Sequence, residues 1–415
     1  MTFIKTSILS LIATTIKLFT ALVINKAIAV FIGPAGLAMI GQFQNFTQLV
    51  LTVAQGGING GVTKYTAEYG KHNKLIPILF STAIKINVIT SIFVGVGVIL
   101  LSEVASLHLF DSEEYGHIFI IFGITIPLFV LNNLILSILN GLKDIKQFIV
   151  INIIQSVYSL IFTTLFIIIM GLEGALIALV TSQSVVFLIA IWMLRHHKVI
   201  RLDKFKDSFS RGVAKKLFSY SVMLITSAVM APTTHLIIRS HIGDSIGWNE
   251  AGYWQAIWYI STMYLMVITT TLSIYYLPRL SEIIEKKEIK KELKYIGRRV
   301  IPTAILMASL VYFTKEYTVE ILFTKEFQPM LGLFLFQLIG DIFKISAWLQ
   351  SYLMLAKAMK KMWITTEVVF SLNFVVMSIQ LIDLFGLIGV TYAFAINNLL
   401  YFIVMRYYMN KWMNS

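Results

Sequence analysis

Hydrophobic residues in this chain come in long blocks separated by short polar segments. Twelve blocks, at 6–31, 37–63, 75–101, 116–140, 146–170, 175–195, 214–239, 251–277, 296–314, 329–355, 362–383 and 388–408, approach or exceed the length of about 20 residues that carries a helix across a hydrocarbon layer. Several neighbours are joined by glycine-rich turns, GPAG at 33–36, GLEG at 171–174 and GLIG at 386–389. Glycine closes a helix with little backbone left unpaired. The pattern predicts an all-α membrane protein of twelve transmembrane helices. The first block is longer than the apolar core of a signal peptide and lacks a small-residue cleavage pattern, so it reads as the first span.

Two features recur at a constant distance. GLEGALIA from Gly171 and GLIGVTYA from Gly386 both fit G-L-x-G-x-x-x-A, 215 residues apart. Ala35-Gly36 and Ala251-Gly252 each precede a block and lie 216 apart. An offset near half the chain predicts two six-helix bundles, 1–200 and 214–415, joined by a cytosolic connector at 201–213. Six spans is an even number, so both halves enter the membrane in the same direction. They are then related by a pseudo-two-fold axis along the membrane normal.

Composition agrees and narrows the class. Charged residues make up 13% of the chain, well below the roughly one quarter that a soluble domain needs, and mean hydropathy is +0.80. The net charge of +13 would suggest nucleic acid in a soluble protein. Here 27 of the 34 basic residues fall in loops on one side of the membrane, while the opposite loops hold 11 of the 21 acidic ones, Asp111, Glu113 and Glu114 among them. This asymmetry places both termini in the cytosol and accounts for the excess charge by topology. It leaves no role for nucleic acid. Cysteine is absent, which excludes disulfides and thiolate metal sites.

GGINGGVTKY at 56–65 has the look of a phosphate loop. It lacks the G-x4-G-K-[ST] spacing and a preceding strand. Its glycines are expected to thin or bend a helix, and Lys64 to sit near the cytosolic entrance as an entry charge or a snorkelling lysine. No nucleophile triad, metal-spaced histidine cluster or acidic pair stands out, so the expectation is a transporter and not an enzyme, with no cofactor and no metal. His235 is either a polar lumen residue or a hydrogen-bonded core histidine.

Setting aside the charges within three residues of a block end, six remain inside the blocks: Lys17, Lys26, Lys85, Lys344, Asp341 and Glu367. A lysine at a span centre costs about 2.5–3.5 kcal/mol on insertion scales and usually faces a bundle interior. Lys85 lies about 16 Å from the cytosolic end of its block at 1.5 Å per residue, and Lys17 is comparably deep. Lys26 is close to the GPAG turn and able to snorkel outward. It points opposite to Lys17 on a straight helix. Lys344 follows Asp341 by three residues, which lets the two meet as an ion pair on one face. Glu367, near its cytosolic end, is a candidate for ion coupling. Four cations against two carboxylates predict an electropositive lumen that attracts an anionic head group. Lys17 is the best-placed contact for a lipid pyrophosphate.

Taken together, KLFTALVINKAIAVFIGPAGLAMIGQFQN at 17–45, GGINGGVTKYTAEY at 56–69, YYLPRLSE at 275–282 and FQLIGDIFK at 336–344 resemble the Wzx-type O-antigen translocases. These are flippases of lipid-linked oligosaccharides, of which the enterobacterial common antigen flippases are the nearest form. They form the polysaccharide transport branch of the superfamily that includes MATE exporters. The resemblance runs nearly end to end. It implies a V-shaped pair of bundles that opens alternately to each side of the bacterial inner membrane. The implied cargo is an undecaprenyl-pyrophosphate-linked repeat unit, moved from the cytosolic to the periplasmic leaflet on an ion gradient. The implied partners are that lipid-linked glycan, membrane lipid, and the pathway's polymerase and chain-length regulator. Lys17, Lys26, Asp341, Lys344 and Glu367 match charged positions of the common antigen flippases, while Lys85 rests on depth alone. The alternatives are a MATE-like drug exporter, which wants an acidic cavity, and a lipid II-type flippase, which usually has two more spans. A glycan polymerase or ligase would need a larger external loop than that at 102–115.

Overall fold

The computed structural model describes the backbone of residues 3–70, 73–197, 199, 200, 205 and 207–414, and their side chains apart from 3–11, 219–224, Ile274 and Pro278. Residues 201–204 and 206 of the expected connector lie outside the described residues. Every regular element among the described residues is a helix. In chain order these are α1 (Phe3–Phe31), α2 (Gly33–Ala54), α3 (Asn59–Tyr69), α4 (Leu75–Leu100), α5 (Ser102–Phe110), α6 (Gly116–Gly141), α7 (Ile145–Leu194) and α8 (Arg211–Ser245). They continue with α9 (Trp248–Thr271), α10 (Leu277–Glu282), α11 (Lys286–Phe313), α12 (Lys315–Leu322), α13 (Phe334–Ala356), α14 (Lys360–Phe385) and α15 (Ile388–Asn414).

Eight of the described helical segments are long and apolar enough to cross a membrane, which makes this a multi-pass membrane protein. One of them, α7, is 50 residues long and turns back at Gly171, so its two arms are the predicted blocks 146–170 and 175–195. The helices α2 and α9 have the length but fall short in hydropathy, because their faces carry glutamine, asparagine, serine and threonine side chains.

Three predicted blocks differ in detail. Block 37–63 breaks after Ala54, where Gly56 and Gly57 have φ of +55° and +61°. A side chain at Gly57 would also run into Ile225. Block 251–277 ends in a π-helical segment, Leu272–Tyr276. Block 329–355 starts in a 3-10 helix, Lys325–Leu333. Hydropathy alone does not register such local changes of helix type or direction.

The chain packs as two units. The N-terminal unit comprises 1–32 and 39–232. In it α4 lies on α6, α6 on α7, and α7 on α1. Gly95 and Gly123 let α4 and α6 touch backbone to backbone, since a Cβ on either would meet the carbonyl oxygen of the other at 2.5 and 2.6 Å. Small residues at such crossings matter more in lipid than in water, because close packing and not dehydration holds membrane helices together. A second contact is aromatic, with the Phe43 ring set edge-on to Phe119 and Phe122.

The C-terminal unit comprises 33–38 and 233–415. Helix α13 lies at its centre, against α11, α15 and α10. Gly252 at the start of α9 lies against the backbone of Pro34, closer than any side chain would allow. The Tyr276 hydroxyl, carried by the π-helical segment, donates to the carbonyl of Leu349 at 3.0 Å.

The sequence repeat builds the same turn in each unit. Gly171 and Gly386 have φ of +59° and +66°, a region that costs a residue with a side chain about 1–2 kcal/mol. Three residues later, Gly174 lies against the carbonyl of Phe166 and Gly389 against that of Leu381. In both cases the contacted carbonyl belongs to the residue eight positions earlier. The spacing G-L-x-G therefore encodes one reverse turn, used twice.

Candidate functional site

The segment FQLIGDIFK places Gln337, Asp341 and Lys344 at intervals of four and three, one face of α13. Gln337 and Asp341 are fully buried. Across from them α9 presents Trp254, Trp258, Ser261 and Tyr264 at the same helical spacing. The Tyr264 hydroxyl donates to Asp341 Oδ2 at 2.8 Å. Gln337 Nε2 donates to Ser261 Oγ at 3.2 Å. The second carboxylate oxygen, Asp341 Oδ1, is shut off from solvent without a well-formed hydrogen bond.

Lys344 does not close the expected ion pair with Asp341: no contact within 4 Å forms between the two. Its ammonium instead sits over the rings of Trp258, Trp348 and Phe394, at 4.6, 5.0 and 5.6 Å from their centroids. An ammonium removed from water gains about 2 kcal/mol or more from such faces. The physical reason for the missed pair is this aromatic box, which draws the lysine away along its own helix. Gly340 makes room for the box, because a Cβ there would collide with the Phe394 ring.

Two more cationic or ionisable groups extend the cluster. His235 on α8 stacks on Trp254 at 5.3 Å and meets the edge of Trp258 at 4.2 Å. One turn on, Arg239 is 1% exposed, lies over Trp254 at 5.6 Å and donates to Gln255 Oε1. Glu367 on α14 is half-buried and lies within electrostatic range of Lys344 and Tyr401. Asp341, Lys344 and Glu367 are thus brought together in the C-terminal unit. A buried carboxylate that faces Ser261 and Tyr264 and lies within electrostatic range of Lys344 has its charge state tied to these neighbours.

Sequence reasoning singled out Asp341, Lys344 and Glu367 and left His235 open between a lumen and a core residue. It missed Ser261, Tyr264, Gln337 and the tryptophans. The available signal was spacing. Trp254, Trp258 and Ser261 recur as i, i+4 and i+7, the same spacing as Gln337, Asp341 and Lys344.

The N-terminal lysines are not gathered into one site within their unit. Lys17 is exposed on α1 and Lys26 is half-buried on it, about 13 Å further along the axis at 1.5 Å per residue. Lys64 is exposed on α3, its ammonium 5.1 Å from the Tyr65 ring centroid. Lys85 is half-buried, and its Nζ donates to the backbone carbonyl of Asp207 at 2.7 Å. Ser81 donates to the same carbonyl, and Phe205 stacks on Phe80 at 5.6 Å. The depth of Lys85, counted along α4, did not anticipate a connector that folds back onto the helix and meets it.

A family described as "Polysaccharide biosynthesis protein" matches residues 3–284. The chain is 28% identical over 402 residues to proteins named "Lipid III flippase" from Escherichia coli (strain K12) and Shigella flexneri, covering 97% of both partners in each comparison. Among solved structures it is similar, at 15% identity and a TM-score of 0.80, to an inward-facing multidrug resistance MATE family transporter of the MOP superfamily, over 96% of this chain and 94% of that one. A second, a MOP superfamily transporter from Pyrococcus furiosus described for the reverse polarity of its binding pocket, matches with a TM-score of 0.72 at 15% identity, over 99% of this chain and 95% of that one. With a fold shared with MOP superfamily transporters and a family match over more than half its length, the chain belongs to the polysaccharide biosynthesis protein family.

Proposed function

We propose that the protein is a flippase of lipid-linked glycans. It moves an undecaprenyl-pyrophosphate-linked repeat unit from the cytosolic to the periplasmic leaflet of a bacterial inner membrane. The observation that carries this reading is the end-to-end similarity to lipid III flippases, which leaves neither protein with an unmatched domain. Twelve spans in two six-helix bundles, 1–200 and 214–415, alternate in access around a connector at 201–213, with both termini cytosolic.

The chemistry of the residues supports the reading. A pyrophosphate head group needs cations, and Lys17, Lys26 and Lys344 are charges that a membrane helix carries only at a cost. Lys17 contacts the pyrophosphate, Lys26 acts on the exit side, and Lys64 draws the head group in at the cytosolic face. Asp341 and Glu367 couple transport to an ion, since both stand near Lys344 in a site whose net charge each can alter. Lys85, already bonded to Asp207, serves the connector before it serves the cargo.

The test is transport by the reconstituted full chain of a labelled lipid-pyrophosphate oligosaccharide between leaflets. The wild-type protein moves it, and Lys17→Ala and Lys344→Ala lower the rate at equal expression. The MATE-like structural neighbour keeps a drug exporter as the second reading. Drug resistance conferred by the chain, without movement of the lipid-linked glycan, would favour that reading.

A further inference from the structure

The N-terminal unit holds a cleft of a different character. Two cavities of about 270 Å³ each run along α2 and share Thr47, Leu51 and Phe129 as walls. They lie side by side on either side of these three residues. Gln44, Gln155 and Gln183 face one end, and Gln48, Gln55 and Asn133 the other. No lining residue of either cavity carries a formal charge, in a chain whose net charge is +13. Phe122 and Phe129 supply flat apolar surface beside the amides.

The amides are positioned and not all satisfied. Asn59 Nδ2 donates to Gln55 Oε1 at 2.8 Å and fixes that side chain. The hydroxyls of Thr47 and Thr52 are spent on α2's own backbone, on Gln44 and Gln48. Gln183 Oε1 is buried with no hydrogen-bond partner. Leaving a buried acceptor unmade costs about 1–3 kcal/mol, so turning the Gln183 amide into the cleft toward a ligand donor is favoured.

This chemistry selects among the parts of a lipid-linked glycan. A pyrophosphate would find no cation in the cleft. A polyprenyl tail would leave the amides unpaired. A cationic drug would find no carboxylate. A neutral sugar brings hydroxyl and acetamido groups for glutamine and asparagine, and an apolar ring face for phenylalanine. We infer that this cleft of the N-terminal unit binds an uncharged sugar residue of the cargo, with Gln183 and Gln155 as specificity-determining contacts. The inference rests on the flippase reading and adds where and how the glycan is recognised.

The chain has no cysteine, so single-cysteine variants need no altered background. Ser159→Cys and Ser182→Cys line the cleft, and Ser281→Cys, exposed in the C-terminal unit, is the control. Full-length protein in nanodiscs is labelled with a small methanethiosulfonate. The probe is a soluble neutral trisaccharide of N-acetylglucosamine, compared with farnesyl pyrophosphate. At a probe concentration about twice its Kd, the trisaccharide should slow labelling of both cleft cysteines about threefold and leave Ser281→Cys unaffected. Adding Gln183→Leu should abolish the protection. No protection by the trisaccharide, protection by farnesyl pyrophosphate alone, protection that survives Gln183→Leu, or cleft cysteines that never label would each overturn the inference. Leaflet transport of the lipid-linked glycan is measured on the same preparations. If transport proceeds without protection the sugar site is wrong, and if transport is absent the flippase reading itself fails.

Discussion

Asp341 is fully buried and accepts a hydrogen bond from the Tyr264 hydroxyl, with the Ser261 hydroxyl also facing its carboxyl. Tyr264→Phe keeps the ring and removes the better-formed of the two donors from a buried carboxyl. The expected loss is about 1–3 kcal/mol of stability, read as a lower unfolding temperature in detergent. Asp341→Asn combined with Tyr264→Phe should cost less than the sum of the two single changes, because both act on one contact. Additive losses would show that the bond contributes nothing. Asp341 and Lys344 were visible from sequence because a charge inside an apolar block is conspicuous. Tyr264, Ser261 and Gln337 were not, since neutral polar residues are common in such blocks and only the packing of α9 against α13 gives them a partner. The aromatic box around Lys344 was hidden for the same reason: tryptophan in a membrane helix is unremarkable until its ring is found under an ammonium.

At the scale of elements, the repeated turn makes a paired prediction. Gly174→Ala and Gly389→Ala each drive a methyl group into a backbone carbonyl eight residues back. Both should lower the yield of folded protein, by equivalent amounts, measured by size-exclusion of a fluorescent fusion. A strong effect at one and none at the other would mean that the turns only look alike. Lys85 offers a second element-level test. Lys85→Met removes a charged donor from the Asp207 carbonyl, a bond worth about 1.5–3 kcal/mol. The connector should then be cut faster by trypsin while transport is largely retained. Lost transport with an equally protected connector would return Lys85 to the lumen. Helix positions were legible because hydropathy over about 20 residues is a strong signal. The break at Gln55–Ile58 and the π-helical segment at 272–276 were not, because both depend on how a backbone meets its neighbours.

For the whole molecule, two kinds of recognition fall to different chemistry. The C-terminal unit gathers Asp341, Lys344, Glu367, His235 and Arg239 with aromatic rings. The N-terminal unit encloses an amide-lined cleft without a charge on its walls. Under the proposed function, a cargo with a charged head and neutral sugars would engage both. The central claim is leaflet transfer of a lipid-pyrophosphate glycan. Its most direct test is loss of a labelled lipid-pyrophosphate oligosaccharide from the inner leaflet of proteoliposomes containing the full chain, against empty liposomes and the Lys344→Ala variant. Transfer well above empty liposomes, slowed about tenfold in Lys344→Ala, the equivalent of about 1.4 kcal/mol, is the predicted result. A wild-type rate equal to that of empty liposomes, or a Lys344→Ala rate equal to wild type, would contradict the account.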